Sequence, residues 1–286
     1  MHEVISFQKN RGILRLSSYT HLGMVRRNNE DSCLVIPPWS SLAIERQACL
    51  FAVADGMGGQ NAGEVASGIA MKSSIEWFSA SAHEPLNIQL VEEMFAQINA
   101  AVWGHSQEHA DTSGMGNTLT LMLIKGDRAL VGHIGDTRLY RLRDGELVQL
   151  THDHSLVAEQ VRMGKLTPEQ GRVHPTRHIL SRVIGGRQFV VPDIFETDLQ
   201  VNDVYLICSD GVTGMVEDAQ IKDILLHNSP DSAAEKLVET ANRAGGKDNS
   251  TAVTFAFEQL PVVFPSRYSL QRLASLLFNK VCAGGI

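Results

Sequence analysis

Apolar and polar positions change period several times along this chain, and each change marks an element. Residues 34–36, 50–54, 204–208 and 251–257 are short apolar runs bounded by polar or glycine-containing segments, which predicts strands. Residues 63–78 place Val65, Ala66, Ile69, Ile75 and Phe78 near one helical face, and residues 91–102 do the same with Met94, Phe95, Ile98 and Val102. A meander follows over 118–124, 128–134, 138–142 and 146–150, punctuated by turns at Lys125-Gly126-Asp127 and Asp144-Gly145. Two short helices are expected at 221–226 and 233–244, before the final strand. Strands and helices mix without a regular βαβ alternation, so the fold class expected is α+β, in layers.

Between the meander and the strand at Val204 lies a segment of about forty residues, starting near His152, that interrupts the sheet. Within it Thr167-Pro168-Glu169-Gln170 carries a capping threonine, a proline at the first helical position and a glutamine that completes a capping box. Two roles are open for this segment: a lid over a site at the sheet edge, or a surface excursion packed on the sheet.

Composition narrows the function classes only slightly. With 286 residues and 43% hydrophobic content the chain can bury a large core, and its net charge of −7 with no basic stripe argues against nucleic acid as a partner. Cys33, Cys49, Cys208 and Cys282 are scattered, mostly inside apolar runs, so core packing in a reducing compartment is expected rather than disulfides or a thiolate zinc site. No signal peptide or membrane span is evident, which makes the cytoplasm the expected location.

The chemistry lies in where the acids fall. Asp31, in Asn29-Glu30-Asp31, precedes the first predicted strand, and Asp55, in Asp55-Gly56-Met57-Gly58-Gly59, ends the second. Asp210, in Ser209-Asp210-Gly211, follows the third, and Asp248, in Lys247-Asp248-Asn249, precedes the fourth. If each pair is antiparallel, strand start lies beside strand end and all four carboxylates meet at one edge. Such a group repels itself unless cations sit within it, so a hard divalent metal site is the economical expectation. The glycines after Asp55 lack the Lys-Ser/Thr ending of a nucleotide-phosphate loop and are read as backbone room near the metals.

These segments, with Val25-Arg26-Arg27-Asn28, Gly63-Glu64, Gly116-Asn117-Thr118 and Gly135-Asp136-Thr137-Arg138, occur in the order found in the type 2C metal-dependent protein serine/threonine phosphatases (PPM family), and the chain resembles their bacterial branch from about Thr20 to Phe257. The resemblance implies an αββα sandwich of two antiparallel sheets flanked by helices, with a binuclear Mn²⁺ or Mg²⁺ centre at one edge. It implies that Asp55 bridges both ions, that the Gly56 carbonyl serves one, that Asp210 and Asp248 hold the buried ion, and that Glu30 and Asp31 act through bound water. A bridging hydroxide would then be the nucleophile, with no protein nucleophile needed.

Arg26 matches the family's phosphate-binding arginine, and Arg27 competes with it only as a solvated neighbour. Asp136 matches an aspartate that in bacterial relatives helps hold a third, weaker ion together with Asp210; a structural role at a strand end is the alternative. Met57 stands where the eukaryotic pattern has histidine, so no side-chain general acid is expected there. His152, His154, His174 and His178, in or near the lid, are read as surface or packing residues.

The expected boundaries are a phosphatase domain over 12–258, with the lid at about 152–190, and an amphipathic extension over 259–286 in which Leu270, Leu273, Leu276, Leu277 and Val281 recur at helical spacing. The expected activity is hydrolysis of phosphoserine and phosphothreonine in phosphorylated protein substrates, reversing a cognate kinase, by a monomer. A non-catalytic phosphoprotein-binding module that keeps the fold is the alternative, and the retained ligand set argues against it.

Overall fold

The computed structural model of the chain describes residues 14–58, 62–80 and 86–260. Gly59, Cys282 and the expected C-terminal helix lie outside the described residues. The strands are β1 (Leu14–His21), β2 (Asp31–Ile36), β3 (Cys49–Met57), β4 (Gly116–Asn117), β5 (Leu119–Lys125), β6 (Arg128–Ile134), β7 (Arg138–Arg143), β8 (Glu146–Gln149), β9 (Asp193–Asp198), β10 (Val204–Cys208) and β11 (Ser250–Phe257). The helices are α1 (Ser41–Arg46), α2 (Ala62–Ala80), α3 (Ile88–Glu108), α4 (Leu156–Arg162), α5 (Pro168–Arg172), α6 (Asp210–Thr213), α7 (Asp218–His227) and α8 (Pro230–Arg243).

Two antiparallel sheets form, one five-stranded in the order β1-β11-β10-β7-β8, the other six-stranded in the order β2-β3-β5-β6-β9 with β4 pairing β3. Alternation along each strand divides the core into layers. In β3, Leu50, Ala52 and Ala54 pack outward with Ala66 and Ala70 of α2 and Phe95 and Ile98 of α3. The other face of β3, Cys49, Phe51 and Val53, meets Tyr205, Ile207, Val253 and Phe255 of the second sheet. Beyond that sheet, Leu206 and Cys208 pack with Ile221 of α7 and Leu237 and Val238 of α8. This is the expected αββα sandwich. Cys33, Cys49 and Cys208 are free thiols, Cys49 and Cys208 being fully packed.

The sequence pattern did not reveal β1 and β9. In β1 the apolar signal is diluted by Ser17, Ser18 and Thr20, and two of these are satisfied across the sheet: Ser17 Oγ lies 2.8 Å from Thr254 Oγ1, and Thr20 Oγ1 lies 2.7 Å from Thr251 Oγ1. Polar cross-strand pairs let a polar segment occupy an interior position. β9 is an edge strand, partly exposed, with acids at both ends. The packed structure continues just past the expected boundary at 258, since Leu260 packs against the inter-sheet core.

The segment after the meander carries α4 and α5. Thr167 and Gln170 form the expected reciprocal cap of α5, Gln170 N–H donating to Thr167 Oγ1 at 3.2 Å and Thr167 N–H to Gln170 Oε1 at 2.9 Å. Its base is closed by an antiparallel bridge between Ser155 and Leu180. Among the described residues, no helix is long and apolar enough to cross a membrane.

Candidate functional site

The period of two that builds the inter-sheet core also builds the site. Cys33 and Val35 of β2 face that core, as do Phe51 and Val53 of β3, Ile207 of β10 and Val253 of β11. Continuing the same face one step towards one end of the sandwich reaches Asp31, Asp55, Ser209 and Thr251. At that end the layer turns from apolar to polar, and Thr118, Thr120 and Thr137 there are buried too.

Asp31 and Asp55 are direct cross-strand partners in β2 and β3. Ser209 Oγ donates to Asp31 Oδ2 at 2.7 Å, and the Ser209 backbone N–H donates to Thr251 O at 3.0 Å. This contact brings the ends of the two sheets together. Thr118 N–H donates to Asp55 O at 2.8 Å and Asp55 N–H to Thr118 Oγ1 at 3.0 Å, so β5's entry fixes the backbone of Asp55. Asn249 ties the remaining loops: its side-chain NH₂ donates to Leu22 O at 3.0 Å and Asn28 O at 2.8 Å, while its Oδ1 accepts from Glu30 N–H at 2.9 Å. Close backbone approach completes the corner, because a Cβ on Gly56 would stand 2.0 Å from the Gly63 carbonyl oxygen at the start of α2.

Electrostatics distinguish this corner from the rest of the molecule. Burial, then repulsion from Asp31, Asp210, Asp136 and Asp248, raises the pKa of Asp55 well above the ordinary aspartate value. Asp31 is pushed up to about 7, by burial first, although hydrogen bonds from Ser209 and Thr251 oppose the shift. Asp136, between β6 and β7, and Asp210 are raised as well, in each case by burial and then by a neighbouring aspartate. Glu30 is raised by burial, against the pull of Arg26 and a hydrogen bond from the Gly63 N–H. Asp31, Asp210, Asp136 and Asp248 all act on Asp55, so the charges expected together from the sequence are together in space.

The donor chemistry fits divalent cations. Asp31 Oδ1 and Asp210 Oδ1 are buried and have no hydrogen-bond partner among the described residues. A buried, unpartnered carboxylate oxygen is costly, and a hard cation or its water would satisfy it. Among the described residues no three Asp, Glu, His or Cys side chains close around one point. That spread suits ions that keep much of their hydration, as Mg²⁺ does, better than an all-protein cage.

Arg26 is placed at this edge, with Nη2 donating to Asp248 Oδ2 at 2.7 Å. Burial works against its charge, yet Asp248, Glu30 and Asp55 together raise its pKa. Arg27 is exposed. Met57 pairs in register with Gly116 beside the site and offers no proton. Of the lid histidines, His178 lies near enough to Asp210 to favour that group's charged form. His174 serves its own turn, accepting from Thr176 N–H at 3.3 Å, and His154 is buried beneath the lid. Sequence reasoning assigned no role to Ser209, Thr118 or Asn249; all three stand in the quoted motifs, and a small polar residue at an inward-facing strand end was the available signal.

The Protein phosphatase 2C family profile matches residues 26–249. The serine/threonine protein phosphatase PstP of Mycobacterium tuberculosis is 38% identical over 248 residues, which cover 84% of this chain and 44% of PstP, so this chain spans less than half of that relative's length. Protein phosphatase PhpP of Streptococcus pneumoniae is 34% identical over 253 residues, covering 86% of this chain and 98% of PhpP. A crystal structure of the catalytic domain of serine/threonine protein phosphatase PstP in complex with two manganese ions matches with a TM-score of 0.73 at 34% identity, covering 86% of this chain and 98% of that one. The αββα sandwich, the aspartate corner at the edge of its sheets and a profile match over most of the chain lead to one assignment: the chain belongs to the protein phosphatase 2C family.

Proposed function

We propose that this chain is a metal-dependent phosphoprotein phosphatase that hydrolyses phosphoserine and phosphothreonine, acting in the cytoplasm as a monomer against the products of a cognate kinase. The observation that carries the reading is the aspartate corner: Asp31 opposite Asp55, both facing Asp210, with buried carboxylate oxygens that lack partners among the described residues. Asp55, Asp210 and Asp248, with the Gly56 carbonyl, would hold two Mn²⁺ or Mg²⁺ ions. Glu30 and Asp31 would engage them through water, and Asp136 with Asp210 would hold a weaker third. When bound, such ions supply hydroxide at neutral pH and offset the charge of the phosphoryl oxygens.

The protein's own groups do the rest. Arg26 stands at the rim, and its planar fork has five N–H donors, more than the Asp248 contact uses, so it is suited to orient a phosphoryl group. Asp248 fixes the angle of that fork. Thr118 and Ser209 hold Asp55 and Asp31 in place, which keeps the carboxylates from relaxing away from each other. With Met57 beside Asp55 and Gly56, the leaving serine or threonine oxygen takes its proton from water or from another side chain.

The test is release of phosphate from a phosphothreonine peptide with and without Mn²⁺. Turnover that requires added Mn²⁺ or Mg²⁺ and disappears with chelator is expected. Phosphopeptide binding without turnover, at any metal concentration, would mean that the chain is a binding module.

A further inference from the structure

The turn between β1 and β2 is pinned by its backbone, yet it leaves two consecutive apolar side chains in solvent. Gly23 has φ of +80°, and a Cβ there would stand 2.2 Å from the Asp248 carbonyl oxygen, so the turn lies flush on the loop that carries Asp248. Met24 N–H donates to Gly246 O at 2.7 Å, and the Asn249 side chain donates to Leu22 O and Asn28 O on either flank. Met24 is nevertheless 67% exposed and Val25 66%. A rigid turn that presents bare apolar surface is preorganised for a partner, because little ordering remains to be done on binding.

That surface extends beyond the turn. A Cβ on Gly246 would meet Met24 Cγ at 2.7 Å, and one on Gly245 would meet Met215 Sδ at 4.0 Å, so methionine side chains lie against two consecutive glycines. Met24 stands two residues before Arg26, Gly246 two before Asp248, and Met215 just after α6, which Asp210 opens. The segments that bring Arg26, Asp210 and Asp248 to the corner thus also supply the apolar patch, and the two surfaces are continuous. Two residues of chain span at most about 7 Å. In an extended peptide, side chains two residues apart lie on one side at about the same spacing, so a substrate whose phosphoryl group meets Arg26 brings its near neighbours to Met24. Methionine is unbranched and adapts to aliphatic partners of different shape.

We propose that Met24, with Val25 and Met215, forms an apolar subsite that selects phosphoproteins carrying an aliphatic side chain within two residues of the phosphorylated serine or threonine. This rests on the phosphatase reading above and narrows its substrate class. Lys247 and Arg27, exposed and adjacent in the chain to Asp248 and Arg26, are the rival determinants, and they favour an acidic neighbour instead.

The test is a set of phosphothreonine peptides in an all-Ala host, with Leu or Glu placed in turn at each of the four positions within two residues of the phosphothreonine. With Mn²⁺, Leu at one or more of these positions should raise wild-type kcat/KM about tenfold over the host peptide, mainly through KM. Met24→Ala should reduce that gain to about threefold or less, and Met24→Leu should keep it. Both variants should hydrolyse 4-nitrophenyl phosphate, which has no flanking residues, within twofold of wild type. An equal Leu gain in wild type and Met24→Ala, or a larger gain from Glu than from Leu, overturns the proposal. So does a loss of 4-nitrophenyl phosphate turnover in Met24→Ala that matches its loss on peptides, since Met24 would then act on the corner and not on the substrate. Wild type that turns over every peptide alike overturns this inference alone; wild type that turns over neither peptide nor 4-nitrophenyl phosphate with Mn²⁺ overturns the phosphatase reading with it.

Discussion

The two ends of β10 treat an aspartate in opposite ways. Asp203, just before the strand, is 2% exposed and fully paired: Arg143 donates to it through Nε at 2.7 Å and Nη2 at 2.6 Å, and Tyr205 adds its hydroxyl at 3.1 Å. Asp210, just after the strand, has a buried oxygen with no partner among the described residues and is raised by burial and by Asp248. The strand between them, Val204–Cys208, spans only about 17 Å at the usual rise. One end has an arginine built in and is complete; the other concentrates carboxylates that only two guanidiniums approach among the described contacts, Arg26 at the rim and Arg138 beside Asp136. The first arrangement serves stability. The second stores repulsion that a bound cation relieves.

The sharpest way to break this comparison is to remove one charge at each end. Asp55→Asn or Asp248→Asn should lower kcat by roughly three orders of magnitude, about 4 kcal/mol in the barrier, because an altered ligand loses the ion or displaces the nucleophile. Chelated Asp55→Asn protein should be at least as stable as chelated wild type, since the substitution removes a buried charge from a repelling group. Asp203→Ala should do the reverse, costing about 2 kcal/mol of stability because Arg143 loses its Asp203 bonds and keeps only Asp198, while leaving kcat within twofold. Peptide turnover and thermal melts of these variants check both halves, and near-normal turnover of Asp55→Asn at saturating metal would show the ligand assignment to be wrong.

A weaker effect should appear with pH. In the folded protein Asp31 titrates at about 7, against 3.8 for an ordinary aspartate. Between those values the folded state holds a proton that the unfolded state has shed, so stability is greatest at acid pH and falls as pH rises towards 7. Asp193 has the opposite sign. Although burial opposes it, bonds from Arg182 and His154 bring it down to about 2, so its contribution is present above pH 3.8 and is lost as pH falls towards 2. Metal-free protein should therefore melt roughly 5 °C higher at pH 5.5 than at pH 8, and saturating Mn²⁺ should remove most of that difference. Metal-free melts that rise with pH over this range would contradict the repulsion on which the site is argued.

The smallest effect separates the neighbouring arginines. Arg26→Ala should lower kcat/KM for phosphopeptide about tenfold, mainly by raising KM, whereas Arg27→Ala, at an exposed position, should be nearly silent. Steady-state kinetics on one peptide decides it, and the reverse pattern would put the phosphate contact one residue later.

Much of this molecule could be read from local pattern. The strands around Phe51, Ile207 and Phe255 and the helices around Phe95 and Leu237 show their period within a few residues, because alternation and helical recurrence are properties of neighbours in the chain. The acids at strand ends were legible for the same reason: the position of Asp31, Asp55, Asp210 and Asp248 relative to their strands needs no knowledge of the fold. The polar strand β1 was not legible, because Ser17 and Thr20 are satisfied by partners such as Thr254 and Thr251 of β11 and Pro230 of α8, far along the chain.

The amino-acid sequence by itself thus determined most of the elements, the layered class and the set of carboxylates that must be neutralised. Tertiary structure alone decided their company. Ser209 reaches Asp31 across 178 residues of chain and Arg26 meets Asp248 across 222, contacts that exist only because two sheets end at the same corner. The same holds for His154, which sequence reading left as a surface or packing residue and which the fold places between the lid base and the loop of Asp136. Periodicity is written in adjacent residues, whereas the worth of a hydrogen bond or a charge depends on burial and on partners that only the packed chain supplies.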